Sequence, residues 1–343
     1  MIESSVKEAF EISEASTFQQ LSSGIINRSY KVTCENGQCF LLQQINTQVF
    51  PKPLDIQNNY VQIQHHLFDK KSFRLPKIIP TKTHQLLFTQ GEAVWRCFEF
   101  ISDTYSPSIS SNTDEAWQVA YCFGKFSADL YDLDTKKLSV ILPGFHDLKL
   151  RYHQFEVAVK SASDARLQQA KHLIEQAYQY KSLVDFYIKI IDAPAQYPLH
   201  ILHQDCKIAN ILFHEKTRKV LCPVDLDTTQ PGLFFSDLGD MIRSMSPNMD
   251  ENATDIDEMV LRMDFYQAIK DGYLSAMQHY LTENELENID MSGKIIVYMQ
   301  ALRFLTDYLN NDVYYHINYP EHNKNRAANQ FKLLLLIIDK LKS

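Results

Sequence analysis

The stretch from His203 to Asp227 constrains this chain more than any other: H-Q-D-C-K-I-A-N, a short strand pair, then P-V-D-L-D. Asp205 precedes Asn210 by five residues. That is the spacing of a phosphoryl-transfer loop, in which the Asp takes the proton of an acceptor hydroxyl and the Asn holds a divalent metal. Lys207 lies between them, where its ammonium can face a migrating phosphoryl group. Ile211–Val224 reads as a strand, a polar turn over Glu215–Lys219 and a second strand. This hairpin returns Asp225 to the loop as a second magnesium ligand. The chemistry needs these parts because every reacting group is anionic: charge must be neutralised, and one carboxylate must handle the proton. The bland alternative is a loop whose Asp and Asn only shape turns. The ordered succession of Asp, Asn, hairpin and Asp favours the chemical reading.

His200, His203 and Cys206 recur every third residue and raise zinc as a rival. A structural zinc site takes four ligands, and no second Cys/His pair follows at the required spacing. His203 is better read as a buried orienter of the loop backbone. Other nucleotide folds lose their support among the 9 glycines, since Gly124-Lys125 and Gly293-Lys294 are followed by Phe and Ile, and no G-x-G-x-x-G exists. The 343 residues suffice for two domains or one bilobal domain, and 45% hydrophobic content supports a full core. A net charge of −8 argues against a general nucleic-acid or membrane-surface binder. The start, M-I-E-S-S-V-K-E, lacks the apolar segment of a signal peptide, and the run L-L-L-L-I-I at 333–338 is too short to span a bilayer. These features lead us to expect a soluble cytoplasmic protein with reduced thiols, Cys34 and Cys39 facing each other across a hairpin.

Taken in order, residues 5–20 suggest a short amphipathic helix and a strand. Y-K-V-T-C, E-N-G-Q and C-F-L-L-Q-Q-I form a strong hairpin signal around Asn36-Gly37. The preceding turn, Gly24–Ser29, can offer backbone N–H groups to nucleotide phosphates, with Asn27 and Ser29 as candidate contacts, and an ordinary hairpin turn is an equal alternative. Protein kinases carry a Lys on the third strand, paired with a Glu on the next helix. Here that strand offers Gln43 or Gln44, with Gln43 the candidate for a neutral hydrogen bond to the phosphates or the helix, and the helix D-I-Q-N-N-Y-V-Q-I-Q-H-H-L has no Glu. Losing both charges together is coherent, because a buried charge without its partner is costly. A strand over Trp95–Ile101 leads to a hinge, where backbone groups near Glu99 and Ile101 are candidates for adenine. From Asp114 the chain turns helical. His146, Asp147 and Arg151 suggest capping and solvated-face roles ahead of substrate contact, and 164–191 reads as one long helix. Asp237 begins a helix, where Asp240 strengthens its cap; anchoring of the loop by Asp237 is an equal alternative. Polar breaks are expected near 283–292 and 318–325. Arg303, Asp307 and Tyr314, set among tyrosines, suit a sugar's hydroxyls and C–H face, with helix-surface salt bridging the simpler role for Asp307.

G-I-I-N-R-S-Y, L-L-Q-Q-I-N, P-G-F-H-D, H-Q-D-C-K-I-A-N, V-D-L-D-T, P-G-L-F-F-S-D-L-G-D-M-I-R and R-F-L-T-D-Y-L together resemble the aminoglycoside-phosphotransferase and choline-kinase superfamily. The nearest likeness is to its N-acetylhexosamine 1-kinase branch, over nearly the whole chain. The resemblance implies an α+β, bilobal protein-kinase-like fold, with a β-rich N-lobe over 1–101 and a mainly helical C-lobe over 102–343. It implies ATP and Mg²⁺, Asp205 as base and Asn210 with Asp225 as metal ligands. The acceptor it implies is the anomeric hydroxyl of N-acetylglucosamine or N-acetylgalactosamine, with Arg303 and Tyr314 as sugar contacts. The rivals are a kinase of the same fold acting on another sugar, a choline-like amino alcohol or an aminoglycoside, and a nucleotide-binding pseudokinase.

Overall fold

The structure, a computed structural model, describes residues 2–21 and 26–342. The chain runs α1 (Ser4–Ala9), β1 (Thr17–Leu21), β2 (Arg28–Thr33), β3 (Cys39–Ile45), α2 (Pro53–Asp69), β4 (Ile78–Ile79), β5 (Phe88–Gln90), β6 (Ala93–Glu99) and β7 (Thr104–Tyr105). It continues through α3 (Thr113–Asp129), α4 (Leu148–Ser161), α5 (Asp164–Gln169), α6 (Lys171–Gln179), α7 (Ser182–Ile191), β8 (His200–Leu202), β9 (Ile211–His214), β10 (Val220–Pro223) and β11 (Gln230–Gly232). Helices α8 (Phe235–Met245), α9 (Met263–Met277), α10 (Glu283–Glu287), α11 (Met291–Leu309) and α12 (His322–Lys340) complete it. Two compact units result: a β-rich one of Met1–Pro107, Asp132–Leu142 and Ala209–Gln230, and a helical one of Ser108–Tyr131, Pro143–Ile208 and Pro231–Ser343.

In the β-rich unit the main sheet has the order β1-β2-β3-β6-β4, with β5 also on β6, and all its pairs are antiparallel. Gly37, at φ 82°, closes the β2–β3 turn in a conformation that suits a residue without Cβ. Period-two alternation then sorts the sheet's faces. Leu42 and its cross-strand partner Cys97 turn into a cluster with Val6, Phe10 and Ile12. Gln43 and its partner Arg96 share the opposite face. Helix α2 starts at Pro53 and buries Ile56, Tyr60, Ile63 and Leu67 at three- and four-residue steps, together with the polar Gln57 and Asn59. Cys39 lies opposite Thr33, while the Cys34 backbone N–H donates to Gln38 O at 2.8 Å, so the two cysteines are not cross-strand partners as expected.

The helical unit departs from expectation over 164–191, which forms three helices. The chain leaves the helix at Ala170 and again at Tyr180–Lys181, and the segments bury Leu173 and Ala177 and then Leu183, Tyr187 and Ile190. Breaks between the helices let each stretch bury its own face. The expected break near 283–292 is present at 288–290, between α10 and α11, while Thr282 and Glu285 form a reciprocal capping box that starts the short α10.

Four of the scarce glycines lie at two helix crossings. A Cβ on Gly124 would stand 2.8 Å from Tyr273 O, and one on Gly272 would stand 2.4 Å from Trp117 O, so α3 and α9 approach backbone to backbone. Likewise a Cβ on Gly239 of α8 would meet Ser292 O at 2.4 Å and Ile296 Cγ1 at 2.5 Å on α11, while Gly293 returns the contact against Ile242. Gly239→Ala is therefore expected to lower the urea midpoint, by about 1–3 kcal/mol of stability, because neither backbone nor branched side chain can yield cheaply. Wild-type stability in that variant would show that the α8–α11 spacing has slack.

Candidate active site

Strand β8 delivers His203, Gln204 and Asp205 to a turn that does not hold itself. Gln204 takes φ 65°, a left-handed conformation that costs a non-glycine residue about 1–3 kcal/mol. Two carboxylates on α8 hold it there. Asp237 Oδ2 accepts the His203 backbone N–H at 3.0 Å, and Asp237 Oδ1 accepts that of Gln204 at 2.8 Å. Asp240 Oδ2 accepts the Cys206 N–H at 2.7 Å. The three-residue spacing of D-L-G-D puts both acids on one helix face. Asp237 caps nothing: it is the third residue of α8 and its oxygens serve the loop. Burial raises its carboxyl pKa, against the opposing pull of His203 and the two backbone N–H groups. His203 presents its ring edgewise to Phe123, with centroids 4.9 Å apart, and its Nδ1 accepts the Asp205 N–H at 3.4 Å. His200 instead pairs with the buried Glu285 at 2.8 Å, so the side chains of the imagined zinc triplet serve separate purposes.

Asp205 Oδ2 accepts from Lys207 Nζ at 2.9 Å and lines a cavity of about 110 Å³. Phe145, His146, Asp240, Arg243, Met299, Gln300 and Arg303 also line it. Asp240 also holds Arg243 at 2.8 Å, and Arg243 reaches Glu251 at 2.7 Å, so that acid and its base offset each other. Arg303 donates to Gln300 Oε1 at 3.1 Å and lies over the rings of Phe145 and Tyr315. His146 is held neutral, its pKa pulled down to about 3 by burial first and then by Arg303, Arg243 and Arg151, with Asp205 opposing. Its buried Nδ1 has no hydrogen-bond partner among the described residues. Asp147 caps α4 through the Leu150 N–H, and Arg151 donates to the Gly144 and Phe145 carbonyls. Tyr314 is 67% exposed and is not part of the cavity lining; its ring meets Tyr315 edge-on. Asp307 makes no surface salt bridge. It accepts the backbone N–H groups of Tyr314 and Tyr315 at 2.8 and 2.9 Å and so shapes that loop from within.

In the β-rich unit, β9 and β10 pair antiparallel with Ile211 opposite Pro223, and the Val224 N–H donates to Asn210 O at 2.8 Å. Asn210 and Asp225 thus stand at the open end of one hairpin. Their amide and carboxylate oxygens are hard donors of the kind Mg²⁺ takes, and that ion needs only one or two protein ligands beside phosphates and water. Among the described residues no three His, Cys, Asp or Glu side chains gather as a metal cluster.

The candidate nucleotide residues divide. The turn's Gly24 and Ile25 lie outside the described residues. Asn27, Ser29 and Gln43 join one buried network: Gln43 Nε2 donates to Ser29 Oγ at 2.8 Å, and Asn27 Nδ2 donates to Asp227 Oδ2 at 2.7 Å. Glu99 and Ile101 lie at and beyond the end of β6, outside that network, with Glu99 ion-paired to Arg74 and the Ile101 carbonyl accepting from Thr104 Oγ1 at 2.6 Å. At the network's centre is a pair that the sequence reading missed, Arg96 and Asp227, joined at 2.7 and 2.8 Å. The signal was there, a lone Arg inside the apolar strand A-V-W-R-C-F, but only cross-strand register reveals its partner.

Residues 17–278 match the APH family, described as the phosphotransferase enzyme family. The chain belongs to that family. Among solved structures it is similar to an aminoglycoside phosphotransferase from Alicyclobacillus acidocaldarius, with 13% identity and TM-score 0.63, covering 99% of this chain and 96% of that one. It is also similar to a Plasmodium vivax ethanolamine kinase, with 16% identity and TM-score 0.62, covering 96% and 85% of the two chains. An amicoumacin kinase solved with AMP-PNP, Ca²⁺ and Ami gives 11% identity and TM-score 0.59, with 98% and 92% covered. The shared fold is mixed α+β, with a β-sheet lobe and a helical lobe. Among the described residues no helix is long and apolar enough to cross a membrane.

A depressed His146 pKa has a defined consequence for stability. The neutral ring favours the folded state above the unfolded pKa near 6.5, and that contribution is lost as pH falls toward about 3. Between pH 7 and pH 5 the loss approaches about 2 kcal/mol. His146→Asn is expected to show a correspondingly smaller drop in urea stability over that interval. Equal drops in variant and wild type would show that His146 does not carry the effect.

Proposed function

We propose that this protein is an ATP- and Mg²⁺-dependent kinase that phosphorylates the anomeric hydroxyl of an N-acetylhexosamine, N-acetylglucosamine or N-acetylgalactosamine. The observation that carries the choice of acceptor is the charge balance of the cavity beside Asp205. Asp240 is engaged by Arg243, and Arg303 faces the cavity with no carboxylate partner among the described residues. A cationic acceptor such as choline, ethanolamine or an aminoglycoside needs a surplus of carboxylate, which this wall does not supply. A neutral sugar needs hydrogen-bonding groups and an apolar face. Gln300, Arg303 and neutral His146 offer the first, and Phe145 and Met299 the second.

On this reading Asp205 accepts the proton as the hydroxyl attacks, and Lys207 offsets charge on the phosphoryl group. His203, Asp237 and Asp240 hold the base in place through the loop backbone. Asn210 and Asp225 would hold Mg²⁺, which when bound supplies charge neutralisation across the nucleotide phosphates. A nucleotide-binding pseudokinase is the rival that the missing Lys–Glu pair supports, and the intact set of Asp205, Asn210 and Asp225 speaks against it.

A screen of ATP consumption over N-acetylhexosamines, plain hexoses, choline and aminoglycosides, with phosphorus NMR of the product, tests the reading. A C-1 phosphomonoester of an N-acetylhexosamine is expected; a C-6 ester, or turnover confined to choline or an aminoglycoside, overturns it. Asp205→Asn is expected to lower kcat by at least about 10²-fold while nucleotide affinity changes little. Near-normal turnover in that variant would remove Asp205 as base.

A further inference from the structure

Arg96 and Asp227 are an ion pair with 2% and 4% side-chain exposure, and their location is informative. Arg96 is the cross-strand partner of Gln43, on the strand where we expect the kinase lysine to be replaced. Gln57 stands on α2, the helix where that lysine's glutamate is expected. Both side chains are neutral here, and the cation on this sheet face is Arg96, on the neighbouring strand. Its guanidinium meets the carboxylate as a fork at 2.7 and 2.8 Å, while Nε donates to Gln43 Oε1 at 3.0 Å and Nη1 reaches Gln57 Oε1 at 3.3 Å. Asn27 Nδ2 completes the carboxylate's shell at 2.7 Å. Two strands, one helix and the turn after β10 are thereby tied at a single guanidinium.

We infer that Arg96, acting through Asp227, is the positioning residue that fixes the metal-binding turn at Asp225. The inference rests on the reading of Asp225 as a magnesium ligand. Asp225 is left-handed, at φ 60° and ψ 55°, a conformation a non-glycine residue keeps only when its neighbours enforce it. The segment is pinned on both sides: upstream by the Val224 N–H on Asn210 O, and downstream by the Ile141 and Leu142 N–H groups, each 2.8 Å from Gln230 Oε1. Between these, Asp227 makes the ionic attachment, two residues from Asp225. Without the guanidinium its carboxylate would be buried and uncompensated, and would leave for water and take the turn with it. Arg96 is a holder rather than a phosphate contact, because four of its five N–H groups are already committed to Asp227, Gln43 and Gln57.

The test measures binding directly, on the full chain. Electron paramagnetic resonance counts free Mn²⁺ as protein with ADP takes it up, and calorimetry gives the affinity for ADP without metal. Arg96→Met with Asp227→Leu removes both charges at similar volume, a change that buried pairs often tolerate in stability. This double variant is expected to melt cooperatively and to bind Mn²⁺ roughly tenfold or more weakly, a larger factor than its loss of affinity for metal-free ADP. Should it fail to fold, Arg96→Lys, which keeps the charge and loses the fork, is expected to show the same weakening. Wild-type Mn²⁺ affinity in the folded variant overturns the positioning role. Wild-type Mn²⁺ affinity in Asp225→Asn instead overturns the ligand reading, and the inference falls with it.

Discussion

A carboxylate that accepts hydrogen bonds from the backbone of a strained turn is the interaction on which the rest of the helical unit depends. Asp237 and Asp240 between them take three N–H groups from residues 203–206. Hydrogen bonds to charged groups are worth about 1.5–3 kcal/mol each, so three of them exceed the cost of one left-handed glutamine. The balance is not free of opposition, since burial works against the Asp237 charge and raises its pKa. The backbone N–H groups and His203 are what keep that opposition in check. Asp240 meets the same difficulty by drawing on Arg243, itself shared with Glu251.

The β-rich unit solves a like problem with different donors. Asp225 is left-handed as Gln204 is, and a buried aspartate again stands by it, here Asp227 of the same turn. There the aspartate accepts from a guanidinium and a side-chain amide, because the sheet face opposite the core offers side chains and its backbone N–H groups are already spent on strand pairing. An arginine suits that place better than a lysine. Its planar fork satisfies both carboxylate oxygens and still reaches Gln43 and Gln57.

Helix spacing feeds into the same geometry. Gly239 lies between Asp237 and Asp240 on α8, and the close approach it allows to Ser292 seats that helix against α11. α11 also carries Gln300 and Arg303, so one crossing sets the loop's anchors and the cavity's polar wall at a fixed distance from each other.

The order Asp205, Lys207, Asn210, hairpin, Asp225 was legible in the chain itself, because each step is local: short spacings, a turn rich in polar residues and two β-prone runs. The hairpin at Asn36-Gly37 was legible for the same reason. Local pattern could not say whether Asp237 capped its own helix or held a distant loop, since both uses call for an acid near a helix start. It could not show that 164–191 breaks twice, because that depends on which faces find a core to bury. The apparent loss of charge at Gln43 was a correct reading of one strand, incomplete because strand pairing places Arg96 beside it from 53 residues away. Side-chain type and near spacing are written in the sequence. Cross-strand register and the depth at which a charge is buried exist only once the chain is folded, and they decided which aspartates serve as anchors.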